Sequence, residues 1–171
     1  MIDFAVSGLG LLENENLVAA YSDGTVKIFH ANFSVKKNII IFESKLKSLA
    51  ILEDGFFATG FRDGLIIVWN KEGKEVRRLI EHDYMITSLL LLTNGYLAST
   101  SVDRRVILWN WREGNVVKTL HGHKAAVTSI VELEDGLIAT GSVDKTTILW
   151  DSNGAIVRQV NFTLHVIFNR L

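Results

Sequence analysis

Residues 122–160 read GHKAAVTSIVELEDGLIATGSVDKTTILWDSNGAIVRQV, and this stretch decides the fold. It holds four runs rich in β-branched and aliphatic residues: Val127 to Leu133, Leu137 to Ser142, Thr146 to Trp150 and Ala155 to Val160. Asp135-Gly136, Val143-Asp144-Lys145 and Asn153-Gly154 separate them. Runs of this length and make-up between turn residues are strands. Asp-Gly and Asn-Gly supply the positive φ angles of a type I′ hairpin turn, so each run returns antiparallel beside the one before it. The stretch is a four-stranded meander.

The same pattern occurs four times. Asp23, Asp63, Asp103 and Asp144 stand 40, 40 and 41 residues apart, and Phe29, Trp69, Trp109 and Trp150 repeat those steps. A third register agrees, through Val6, Leu46, Ile86 and Val127. A fixed period of this length marks a repeat architecture. The units are about 2–41, 42–81, 82–121 and 122–160, with the hairpin dipeptide recurring as Asp54-Gly55, Asn94-Gly95 and Asp135-Gly136. Strands such as Leu65-Ile66-Ile67-Val68-Trp69 are apolar on both faces, whereas a single sheet in water alternates. Each sheet therefore needs a neighbour on either side, and small sheets that cover one another around an axis make a propeller.

Composition excludes several functions. The 171 residues carry 18 Lys and Arg against 19 Asp and Glu, a net charge of −1, with no basic excess to hold a phosphate backbone. A chain 48% hydrophobic and 22% charged folds rather than staying disordered. The absence of Cys removes disulfides, thiolate ligands and cysteine nucleophiles together, and it suits a reducing compartment. Asp3, Glu13 and Glu15 stand where a leader would be basic, and no apolar run approaches the ~18 residues of a membrane span. The expected compartment is intracellular, cytoplasm or nucleus.

The units resemble WD40 repeats. Trp150-Asp151 matches the eponymous dipeptide, Asn70 and Asn110 replace its Asp in earlier units, and Gly122-His123 matches the Gly-His that opens a repeat. The resemblance covers residues 3–160 and implies an all-β fold of four four-stranded antiparallel sheets. They would be WD40-type β-propeller blades in an open arc or incomplete ring, because closed rings of the family usually contain more. It also implies a structural tetrad of His, Ser or Thr, Asp and Trp. The fourth unit supplies His123, Thr140, Asp144 and Trp150, and the third His82, Ser99, Asp103 and Trp109. The second offers Thr59, Asp63 and Trp69 with Phe42 in place of the His, and the first has Ile2, Ala19, Asp23 and Phe29. His, Asp and a hydroxyl are also the parts of a hydrolase triad. A catalytic set is needed once, however, and this one recurs with the repeat, so no enzyme is expected.

Propellers of this family act mainly as platforms for peptides and protein domains, and the resemblance implies a non-catalytic protein-binding scaffold here. The face bearing the second turn and the loop before each first strand would present Lys45, Arg62, Tyr84, Arg104, Arg105, Lys124 and Lys145. Cations prevail there, so the expected partner is acidic or phosphorylated. Neither nucleic acid, membrane nor cofactor is implied. His121 and His123 flank Gly122, but two imidazoles without a third clustered ligand do not make a metal site. On the opposite face, Glu72, Lys74, Arg112 and Glu113 read as solvated turn residues.

Advancing Val127 by 40 reaches Ile167, so residues 161–171 read as the start of a fifth, truncated repeat. Three explanations follow: a piece of a larger ring, an arc completed through its open edges by a second copy or another chain, or a small closed ring. In the second case the chain is a self-assembling half-propeller.

Overall fold

The computed structural model describes residues 5–13, 15–40 and 44–161. They form four antiparallel sheets, each a meander with its strands in sequence order. The first sheet contains β1 (Val6–Leu11), β2 (Leu17–Tyr21), β3 (Thr25–Phe29) and β4 (Val35–Ile40). The second contains β5 (Leu46–Ile51), β6 (Phe57–Phe61), β7 (Ile66–Trp69) and β8 (Glu75–Leu79). The third contains β9 (Ile86–Leu91), β10 (Leu97–Ser101), β11 (Val106–Asn110) and β12 (Asn115–Leu120). The fourth contains β13 (Val127–Glu132), β14 (Ile138–Ser142), β15 (Thr146–Trp150) and β16 (Ile156–Asn161), within one residue of the runs read from sequence. Tetrad position Ile2, the Phe42 and Glu43 of the second unit, and residues 162–171 of the expected fifth repeat lie outside the described residues.

The sheets pack face to face in chain order. Their first strands β1, β5, β9 and β13 lie against one another on the inside, and the fourth strands are exposed on the outside. One apolar cluster joins the first and second sheets through Val18, Val26, Ile28, Phe57, Phe61, Ile67 and Trp69. A second joins the second and third through Ile66, Val68, Leu79, Leu89, Ile107 and Trp109. A third joins the third and fourth through Val106, Leu108, Leu120, Ile148 and Trp150. The inner strands β6, β7, β10 and β11 of the two middle sheets thus contribute to clusters on both of their faces, which is why their apolar residues do not alternate with polar ones. Four sheets with three clusters among the described residues make an open series, an incomplete propeller rather than a closed barrel.

Close approach at the inside depends on small residues. A Cβ on Gly8 would lie 2.7 Å from Leu49 Cβ, and one on Gly10 would lie 2.4 Å from Ile51 Cδ1. The hairpin turns are built in two ways. Asp54 and Gly55 both take positive φ, 57° and 76°, the expected type I′ geometry. At Asn94-Gly95 and Asp135-Gly136 only the glycine does, and Gly95 N–H donates to Leu92 O at 2.9 Å to close a type I turn that the glycine follows. The expectation of type I′ turns throughout is corrected there: a type I turn followed by a glycine needs one left-handed residue, not two. The first sheet places Glu15 at that position with φ 61°.

Candidate functional site

The second turn of each sheet meets the loop that leads into its first strand, and together they form one rim. Backbone bonds fix the pairing: Ser22 N–H to Ala5 O at 2.8 Å, Arg62 N–H to Lys45 O at 2.9 Å, Val102 N–H to Met85 O at 3.0 Å, and Val143 N–H to Ala126 O at 2.9 Å. Gly64 shows how tightly neighbouring sheets meet here. It has φ 94°, and an added Cβ would lie 2.3 Å from His82 O of the next sheet.

Beneath the rim run two chains of side-chain hydrogen bonds. In the third sheet Trp109 Nε1 donates to Ser99 Oγ at 2.8 Å, Ser99 Oγ lies 2.8 Å from His82 Nε2, and His82 Nδ1 lies 2.6 Å from Asp103 Oδ2. In the fourth, Trp150 Nε1 donates to Thr140 Oγ1 at 2.8 Å, which lies 2.9 Å from His123 Nε2, and His123 Nδ1 lies 3.0 Å from Asp144 Oδ2. Donors and acceptors match throughout if each imidazole carries its proton on Nδ1. Burial pushes the Asp103 carboxyl up, but the bonds from His82 and from the backbone N–H of Arg105 outweigh it and hold the carboxyl well below the usual range. For Asp144 burial is likewise outweighed, chiefly by the Thr146 hydroxyl and the N–H of Lys124. The second sheet keeps only Trp69 Nε1 to Thr59 Oγ1 at 2.8 Å, and its exposed Asp63 accepts from Leu65 N–H at 3.2 Å. In the first, Asp23 accepts from the N–H and hydroxyl of Thr25 at 2.8 and 2.9 Å.

These chains position the rim. Asp103 Oδ2 accepts the N–H of Asp83 at 3.2 Å and Asp144 Oδ2 that of Lys124 at 2.7 Å, so each carboxylate ties a loop to the turn beside it. Chemically the sets are closed. The hydroxyl-bearing residues Ser99, Thr140 and Thr59 are 0%, 1% and 0% exposed, and each hydroxyl already holds an indole N–H.

The cations chosen from sequence separate into two kinds. Arg105 is half-buried and occupied: one guanidinium nitrogen lies 2.7 Å from Asp83 Oδ2 and 2.9 Å from Asp103 Oδ2, and it donates to Glu81 O at 2.8 Å. It belongs to the scaffold rather than to an open binding face. The sequence offered no warning, because Asp83 stands 22 residues away. Lys45, Arg62, Arg104, Lys124 and Lys145 are exposed, and no carboxylate among the described residues pairs with them. Tyr84 stands beside them, 62% exposed.

Two of these cations occupy a position that favours glycine. Arg104 and Lys145 have φ of 74° and 68°, and the equivalent residues of the first two sheets are Gly24 and Gly64. The left-handed region costs a side-chain-bearing residue roughly 1–2 kcal/mol. That series, Gly, Gly, Arg, Lys, was visible in the sequence as a departure from the repeat. Between the third and fourth sheets the rim opens into a cleft of about 320 Å³ lined by Asp83, Asp103, Arg104, Arg105, His121 and His123.

The opposite face is not merely a set of solvated turns. Arg112 stacks 4.3 Å from the Trp111 ring and reaches Glu53 Oε2 and Asp54 Oδ2 of the second sheet, each at 2.8 Å. Phe56 packs against the same indole in a tilted arrangement, with ring centroids 5.5 Å apart. Sequence reading missed this stitch because Trp111 has no counterpart in the repeat: Lys71 and Ser152 hold its place.

No helix among the described residues is long and apolar enough to cross a membrane. No curated protein matches the chain. The family model described as WD domain, G-beta repeat matches residues 73–110 and 114–151. Each match runs from the fourth strand of one sheet through the first three strands of the next, one strand earlier than the sheet boundary.

Proposed function

We propose that this chain, in which residues 73–110 and 114–151 are WD40 repeats, is a non-catalytic platform that docks an acidic peptide segment on its loop-and-turn rim. WD40 repeats in general form protein-interaction scaffolds, and a rigid rim lowers the ordering cost of binding. The observation that carries the acidic ligand is the backbone of Arg104 and Lys145. Two adjacent sheets hold a long cation where a glycine would sit without strain, and strain of this kind concentrates at functional sites. Lys45, Arg62 and Lys124 extend the same charge along the rim, and Tyr84 adds an exposed aromatic of the kind that anchors peptides. A carboxylate or phosphate side chain fits the cleft beside Arg104 and His121, where Asp83 is already engaged by Arg105. The buried hydroxyls of Ser99 and Thr140 support the non-catalytic reading, since no substrate carbonyl can approach them.

The test uses a fluorescein-labelled Glu-rich peptide and its Gln-rich counterpart in an anisotropy titration at two salt concentrations. The Glu-rich peptide should bind at least tenfold more tightly, with affinity falling as salt rises. The double variant Arg62→Glu with Arg104→Glu should abolish that preference while melting like the parent. Equal binding of the two peptides, or an undiminished preference in the double variant, overturns the proposal.

A further inference from the structure

We propose that two copies of this chain close a ring of eight sheets head to tail, the first sheet of each seated on the fourth sheet of the other. The contact is one the chain already makes three times. At each internal boundary, two large residues of a first strand sit over two positions of the preceding first strand. Leu49 and Ile51 cover Gly8 and Gly10. By the repeat spacing, Leu89 and Leu91 stand over Ser48 and Ala50, and Ile130 and Glu132 over Ser88 and Leu90. The residues left over at the two ends are the two halves of this same contact. Leu9 and Leu11 occupy the covering positions and are each 64% exposed, and Ser129 and Val131 occupy the covered positions, Val131 being 51% exposed.

Three further features fit the same register. At two of the three internal boundaries a hydroxyl at the second residue of a first strand donates to the carbonyl that opens the next first strand: Ser7 to Leu46 O at 3.1 Å and Thr87 to Val127 O at 2.6 Å, with Lys47 at that position in the second sheet. Thr128 holds this position in the fourth sheet, is exposed, and donates to Gly141 O of its own sheet at 3.2 Å; in the pair its hydroxyl would turn to Val6 O of the other copy. Polar exchanges also match. Lys27 stands where the later sheets have Ile67, Ile107 and Ile148, and Thr147 stands where the earlier ones have Val26, Ile66 and Val106. These two positions share a cluster at all three boundaries, Val26 with Ile67, Ile66 with Ile107 and Val106 with Ile148. Finally, Phe33, 76% exposed, takes the place of Gly73, which lies against Ile39 on the outer strand of the preceding sheet. The fourth sheet offers Val160 where the others have Ile39, Leu79 and Leu120, which leaves room for the larger ring.

Blade number selects two copies. Closed propellers contain about four to eight blades, so among head-to-tail rings of more than one copy the four sheets of the described residues close with two and exceed the range with three. Four strands spaced ~4.8 Å apart, with about five residues of ~3.3 Å each, give a face of roughly 300 Å². Two contacts cover four such faces, about 1,200 Å², the lower bound for a specific stable interface.

The natural absence of Cys makes the register testable. The 171-residue chain should sediment at twice its 19.1 kDa, and Leu11→Glu or Val131→Glu should each halve that mass without changing the circular dichroism spectrum. Under mild oxidation the double variant Leu9→Cys with Ser129→Cys should give a covalent dimer, whereas Leu9→Cys alone should give none. A dimer cross-linked through Leu9→Cys alone means face-to-face pairing and overturns the proposal. So does a cross-link within one chain, which means a closed four-sheet ring, or a ladder of larger oligomers. A monomer without cross-links also overturns it and assigns the two faces to an occupant other than this chain.

Discussion

Ser99→Ala removes one oxygen on which two buried groups depend. The residue is 0% exposed, and its Oγ holds Trp109 Nε1 and His82 Nε2, each at 2.8 Å. The substitution strands an indole N–H and an imidazole nitrogen in the interior. A buried polar group left without its partner costs about 1–3 kcal/mol, and two of them bring the loss to about 2–6 kcal/mol, a large part of the ~5–15 kcal/mol that holds a domain together. For a chain of this size each kcal/mol lowers Tm by roughly 2–4 °C, so a loss near 3 kcal/mol lowers it by about 6–12 °C. Urea unfolding followed by tryptophan fluorescence measures the total. Hydrogen exchange should place the loss in β10, β11 and the loop at His82 rather than across all sheets. Thr59→Ala is the internal control, because its hydroxyl serves Trp69 Nε1 at 2.8 Å and the sequence of this repeat has Phe42 in place of the His. It should cost about half as much. A Ser99→Ala loss below about 0.5 kcal/mol, or an equal loss in Thr59→Ala, would refute the reasoning that the hydrogen-bonded chain locks the third sheet.

Three other outcomes are expected. The Asp103 and Asp144 carboxyls are held well below the unfolded value of about 3.9, so their contribution is complete above that pH. It declines as pH falls from about 4, because the unfolded chain takes up protons that the folded carboxylates refuse. The double variant Asp103→Asn with Asp144→Asn should flatten that acid limb in pH-dependent urea titrations. Glu15→Gly should stabilise the protein by about 1 kcal/mol, since Glu15 is held at φ 61° where the other sheets use glycine; an unchanged melting temperature would count against strain there. Gly64→Ala should destabilise by about 2–3 kcal/mol, because its φ of 94° and the 2.3 Å approach to His82 O leave no room for a methyl group; differential scanning calorimetry would register it.

What the sequence disclosed was whatever repeats. The Asp and aromatic landmarks recur because every sheet must solve the same packing problem, and the strand boundaries read from residues 127–160 fall within a residue of those observed. The hydrogen-bonded chains of the third and fourth sheets run through His82 and Asp103 and through His123 and Asp144, positions that the family resemblance rather than the period alone singled out. What stayed hidden was pairwise and unrepeated. Arg105 is neutralised by Asp83, and Arg112 is clamped by Glu53, Asp54 and Trp111 across a sheet boundary, so neither behaves as a free surface cation. Charge counted along a chain cannot distinguish a cation that has found a carboxylate from one that has not. The strain at Arg104 and Lys145 was legible in principle, through the glycines at 24 and 64, but a turn position declares its φ only once its neighbours are fixed.

The one-strand offset between matched repeat and sheet bears on how the molecule can be divided. A cut at residue 73, where the first match begins, strips β8 from the second sheet and leaves Leu79, 1% exposed in the intact fold, on the wrong fragment. Severing the 80–85 loop instead leaves two fragments whose sheets are whole. For anyone building a split sensor from this chain, the useful scar therefore lies where the hydrogen-bond ladders end, not where the recurring motif starts.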